Sequence, residues 1–204
     1  GITTAETPLF AALTRKRLFS TAFHWHNYGN SPIGNRSDIE NVRIENLQAF
    51  YRMYYQPDNA VLTVAGKFDV EATLPLIAQT FGKIPRPKRE LPPLWTVEPT
   101  QDGERSFVVR RKGDVQIVMV GYRIPSLLSD STAAISAAAD ILGDTPNGRL
   151  HRELVATGMA AQVFSWAMQV RDPGLAVFGA LVKKGEPVAR VRDKLIEIVE
   201  TSFA

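Results

Sequence analysis

HWHNYG, residues 24 to 29, holds two of the chain's three histidines one position apart. In an extended segment residues i and i+2 point to the same side, so His24 and His26 are spaced to grip one cation. Catalytic zinc needs three protein ligands and a water in a tetrahedral array, and structural zinc needs four protein ligands. The third histidine, His151, lies far along the chain, and no His-x-x-Glu-His run or His pair at helical spacing is present. Two ligands fall short. The plain reading of HWHNYG is a surface loop pinned to its domain by Trp25 and Tyr28.

Other chemistries fare no better. The chain has no cysteine, which removes thiolate nucleophiles, disulfides and Cys-type metal sites together. There is no Gly-x-Ser-x-Gly elbow for a serine nucleophile. GDTPNGR, residues 143 to 149, has two glycines but lacks the Lys-Ser or Lys-Thr ending of a phosphate-binding loop, and reads as a turn with Thr145 or Asn147 capping the next helix. The paired carboxylates Asp38 with Glu40, and Glu197 with Glu200, fall on predicted solvated helix faces.

Bulk properties narrow the partners. Formal net charge is +3, and basic residues are scattered apart from Arg86-Pro-Lys88-Arg89 and Arg110-Arg111-Lys112. A nucleic-acid binder collects Lys and Arg on one helix face or in a groove with stacking aromatics, so nucleic acid is not an expected partner. No apolar run approaches the ~20 residues of a membrane span, and nothing resembles a signal peptide. The first residue is Gly1 rather than Met, as expected of a processed or excised piece.

The elements that would have to position any site follow from periodicity. With 204 residues, 45% of them hydrophobic, the chain can build one large domain or two small ones. Leu9, Leu13, Leu18 and Phe19 predict an imperfect amphipathic helix up to about Phe23, and HWHNYGNSPIGNRSD follows as a long loop. Leu47, Phe50, Tyr51 and Tyr54 predict a second helix, stopped by Gln56-Pro57-Asp58-Asn59. AVLTVAG then reads as a strand buried on both faces, and Asp69 as the N-cap of a helix with Pro75 inside it as a kink.

Residues 84–99, IPRPKRELPPLWTVEP, carry five of the thirteen prolines among charges and read as a linker. Beyond it, RSFVVRR and DVQIVMVGYRI predict two strands around Lys112-Gly113-Asp114. A helix is expected near 131–142, another in GRLHRELVATG ended by Gly158, strands near 160–168 and 174–182, and a last helix carrying Val188, Val191, Leu195, Ile198 and Val199. AVLTVAGKFDVEATLPLIAQTFG and AVFGALVKKGEPVARVRDKLIEIV echo one another as strand, polar turn and helix.

Taken in order, HNYGNSPIG, NLQAFYRMYYQPDNAVLTVAGKFD, FGKIPRP, the linker and GRLHRELVATG resemble the insulinase/pitrilysin-type zinc peptidases, the inverted-motif zincins. The likeness runs from about Thr7 onward, and FYRMYYQPDNAVLTVAGKFD carries most of it. It implies an α/β (α+β) fold with helices on largely antiparallel sheets. Residues 1–83 would then be the C-terminal part of a first domain, 84–99 the linker, and 100–204 most of a second, with the internal echo marking equivalent pieces.

In that family His-x-x-Glu-His supplies two zinc ligands and a general base, and a distal Glu is the third ligand. The resemblance places these before Gly1, leaving Glu6 as the candidate here for the distal ligand and no catalytic residue in this chain. Relatives also use an Arg and a Tyr to hold the substrate carbonyl and its oxyanion. Aligned on Arg149-Leu150 and Gly158, those positions are Val155 and Ala161, neither of which donates a side-chain hydrogen bond. The implied role is the non-catalytic, chamber-wall part of a zinc metalloendopeptidase. Zinc would belong to the parent and not to this fragment. Its partners would be a peptide or unfolded polypeptide substrate and the parent's remaining domains or a partner subunit, in the bacterial periplasm or envelope. The alternative is a catalytically dead scaffold or the partner subunit of a two-component peptidase.

Overall fold

The structure is a computed structural model that describes residues 6–110 and 112–202, with the side chains of residues 6–13 outside that set. Its helices are α1 (Glu6–Ala22), α2 (Arg36–Asn41), α3 (Ile44–Tyr54), α4 (Val70–Thr80), α5 (Thr132–Gly143) and α6 (Val188–Thr201). Its strands are β1 (Gln116–Ile124), β2 (Ala160–Met168) and β3 (Gly174–Val182), and a π-helical turn spans His151–Val155. Two compact units result, Gly1–Pro32 with Thr96–Ala204, and Ile33–Trp95.

The larger unit is built on an antiparallel sheet of order β1-β3-β2. β3, GLAVFGALV, is central and buried along almost its whole length. It is buried on both faces, which is why it reads as a continuous apolar run rather than an alternation. Ala176, Phe178, Ala180 and Val182 face a core that also holds Leu142 of α5, Leu150 and Leu154 around the π turn, and Val191, Leu195, Ile198 and Val199 of α6. Leu175 and Val177 face the other way, onto Leu18 and Phe19 of α1 and Phe23 just after it. Burying each such side chain contributes about 1.5–3 kcal/mol. Helices packed on an antiparallel sheet are thus the architecture, as the sequence led one to expect.

Two details of the sheet bear on the site. Gly179 stands opposite Phe164, and a Cβ at 179 would lie 2.2 Å from that ring's Cζ, so the aromatic fills the space a side chain would take. Between Ala160 and Gln162 the pairing with β3 slips, making Ala161 the extra residue of a β-bulge.

The smaller unit holds α2, α3, α4 and two short 3-10 turns. Asp69 caps α4 as expected, its Oδ1 accepting from Glu71 N at 2.9 Å. The helix continues through Pro75. No residue of Ile33–Trp95 is buried. The expected buried strand AVLTVAG forms no ladder, and Val61 is 93% exposed. The correction has a physical reason: β-branched residues favour an extended backbone, but a strand exists only against a neighbour, and among the described residues none pairs with 60–66.

RSFVVRR is corrected likewise. Residues 105–110 make no ladder, and Arg111 lies outside the described residues. GRLHRELVATG does coil and does end at Gly158, at φ 81, but its central turn is π-helical: Ala156 N bonds His151 O, five residues back, at 3.0 Å. Apolar spacing alone does not separate the two kinds of turn.

Candidate functional site

The loop singled out by its histidines is held mainly through its backbone. Glu98, its side chain 4% exposed, accepts hydrogen bonds from the backbone N–H groups of His24 (2.7 Å), Trp25 (2.8 Å) and His26 (2.8 Å). Three consecutive amides converging on one carboxylate form a backbone anion nest. Arg123 Nη1 lies 3.9 Å from Glu98 Oε1, and its guanidinium sits over the Phe23 ring at 4.5 Å. Burial pushes the Glu98 carboxyl up, but the backbone donors of His24, His26 and Trp25 and the Arg123 charge outweigh it, leaving the group below its ordinary value.

The imidazoles diverge in role. His26 Nδ1 accepts from Tyr28 N at 3.2 Å, and Nε2 lies 3.4 Å from Asp172 Oδ2. The Tyr28 hydroxyl accepts from Asp172 N at 3.3 Å, and its ring meets Phe23 edge-on. His26 and Tyr28 therefore fasten the loop to the β2–β3 connection. Trp25 does not pin it: the indole is 69% exposed. His24 meets Glu98 through its backbone, and His151 opens the π turn elsewhere in the unit. This donor set does not fit a zinc ion. Both His26 nitrogens are committed, and among the described residues no three His, Asp or Glu side chains gather as a metal would need.

Glu6 begins α1, and its side chain lies outside the described residues. Val155 closes the π turn and packs on the core, while Ala161 is exposed in the bulge of β2. Both positions carry backbone irregularities of a kind that often re-aim side chains at functional sites. Here they bear apolar groups.

The carboxylate pairs are placed on solvated faces. Glu40 pairs with Arg36 at 2.6 Å and Glu197 with Lys194 at 2.9 Å. Glu200 Oε1 lies 3.3 Å from the Tyr122 hydroxyl, whose pKa is pushed up to about 12 by desolvation and by that carboxylate. In the basic stretch 86–89, Arg89 is committed: Nη2 donates to Asp58 Oδ1 at 2.9 Å and Nε to the Met53 carbonyl at 2.5 Å. Arg89 ties its part of the proline-rich segment to the smaller unit and Glu98 ties its part to the larger, and residues 84–99 form no helix or strand. Glu98 and its nest gave no sequence signal beyond one acid in an otherwise uncharged WTVEP.

The arrangement anchors the loop at residues 24–28 through its backbone amides. Comparison with known proteins places the chain among relatives. A family model described as the peptidase M16 inactive domain matches residues 41–203. The zinc protease PqqE of Helicobacter pylori is 31% identical over 186 residues, covering 90% of this chain and 41% of that protein. An uncharacterized zinc protease of Mycobacterium tuberculosis is 28% identical over 186 residues, 89% of this chain and 42% of that one. Among solved structures, a protease from Helicobacter pylori superposes with a TM-score of 0.86 at 29% identity, over 91% of this chain and 46% of that chain. A peptidase M16 inactive domain from Pseudomonas fluorescens shares the fold, with a TM-score of 0.78 at 20% identity over 94% of this chain and 46% of that one. The chain spans less than half the length of these relatives. On the match over 41–203, the chain belongs to the peptidase M16 inactive-domain family.

Proposed function

We propose that the chain is the non-catalytic, chamber-wall part of a zinc metallopeptidase, supporting an extended peptide or unfolded polypeptide while zinc chemistry is done by other parts of the parent. The observation that carries this reading is the match of 41–203 to the inactive-domain family, joined to a donor set that does not fit zinc. In this reading residues 1–83 end one family repeat, 84–99 connect, and 100–204 begin the next. With Val155 and Ala161 at those positions, either the carbonyl-holding donors lie in another half or a partner subunit, or the segment around Gly158 is purely architectural. Glu6 remains the candidate for a distal zinc ligand.

The test is made on the parent protein. It should cleave an extended reporter peptide, lose that activity to a chelator and regain it with zinc, while the 204-residue chain alone stays inactive. A zinc-free parent that folds and cleaves nothing would favour the dead-scaffold alternative.

A further inference from the structure

A cleft of about 550 Å³ lies in the larger unit, with Arg17, Ser20 and Thr21 of α1 on one side and residues 107–110 on the other. Residues 104–110 run without helix, turn or bend. Along RSFVVR exposure alternates at every residue: Arg105, Phe107 and Val109 are half-buried, and Ser106, Val108 and Arg110 exposed, Val108 at 76%. That is the period of a strand with one face on a core, and Phe107 does pack against the Leu18, Phe19 and Phe23 cluster. Yet among the described residues no backbone–backbone hydrogen bond engages 105–110. A side chain tethers the segment, Arg105 Nη1 donating to the Thr21 carbonyl at 3.2 Å.

A segment with strand periodicity, a seated inner face and unpaired amides and carbonyls is a template for strand addition. Charge selects what is added. Among the described residues Arg17 and Arg110 line the cleft and no carboxylate does, with the Ser20 and Thr21 hydroxyls on the helical wall. We propose that residues 105–110 and α1 form a docking groove for an extended acidic peptide, which pairs its backbone with 105–110 and sets its carboxylates against Arg17 and Arg110. The inference rests on the peptide-supporting role above and names the edge and the substrate chemistry for it.

The probe is a fluorescein-labelled octapeptide of alternating valine and glutamate, titrated into the 204-residue chain and followed by anisotropy, with a valine–lysine peptide as control. The acidic probe should saturate and the basic one should not. Replacing both arginines, Arg17→Gln with Arg110→Gln, should weaken binding about 2- to 30-fold, as expected for two exposed ion pairs, and added salt should weaken it too. The sharper readout leaves the protein untouched. In a paired strand alternate residues of the probe turn their N–H groups to the partner, so N-methylating one alternate set should abolish binding and N-methylating the other should not. Equal effects of both sets, or no binding up to about 1 mM, overturn the proposal. So does slow amide exchange at 105–110 in the parent without probe, which would show the groove filled by the parent's own chain. Reporter cleavage by a parent whose 105–110 amides exchange fast with peptide present would refute this groove and leave the peptidase reading standing.

Discussion

Replacing Glu98 should release the loop at residues 24–28 that its carboxylate holds. Its carboxylate, 4% exposed, takes three charge-assisted bonds of 2.7–2.8 Å from consecutive amides. Hydrogen bonds to a charged group contribute roughly 1.5–3 kcal/mol each but do not add, because the amides share one acceptor. Glu98→Ala leaves three amides without it and should cost about 3–5 kcal/mol; Glu98→Gln keeps one acceptor oxygen but turns an NH2 toward a donor, and should cost about 2–4 kcal/mol. Urea denaturation of the larger unit followed by Trp166 fluorescence gives the free energies, and amide exchange at His24–His26 locates the loss.

The pH dependence has a definite sign. The folded Glu98 carboxyl lies below its ordinary value of 4.5, so the folded state binds that proton more weakly than the unfolded one. Its stabilisation is fully present above the unfolded value and is lost as pH falls through the lowered folded value. Glu98→Gln should remove that acid-side loss. A cost below about 0.5 kcal/mol with unchanged exchange at 24–26 would refute the nest as the loop's anchor.

Leu195, fully buried between α6 and the sheet, should cost about 2–5 kcal/mol as Leu195→Ala in urea denaturation. Gly179→Ala puts a methyl into the Phe164 ring and should cost about 1–3 kcal/mol, with the loss reduced in Gly179→Ala/Phe164→Leu. Ala161→Tyr, at an exposed bulge position, should change stability by less than about 0.5 kcal/mol and confer no hydrolysis on the isolated chain. In hydrogen exchange, residues 60–66 should exchange at close to unprotected rates while β3 exchanges slowly, since one has no ladder partner and the other has two.

What was legible in the sequence is what a single segment decides. β2 and β3 stand where their β-branched and aromatic runs put them, and α3, α4 and α6 follow their apolar stripes, because side-chain period is a local property. AVLTVAG and RSFVVRR failed as strands because a strand is a property of a pair. The π turn at 151–155 was hidden by spacing that serves an α-helix equally well. The Glu98 nest was out of reach: its partners lie more than 70 residues away and take part through their amides, which every residue type offers. HWHNYG drew attention for the wrong atoms, since Glu98 grips the loop's N–H groups, and His26 and Tyr28 add their side chains to fasten it.

The most direct measurement is equilibrium dialysis of the purified 204-residue chain against zinc, with anomalous diffraction from crystals grown in its presence. The expected result is well under one zinc per chain and no ordered ion on three side chains. One tightly held zinc, ligated by three residues of this chain alone, would contradict a non-catalytic framework.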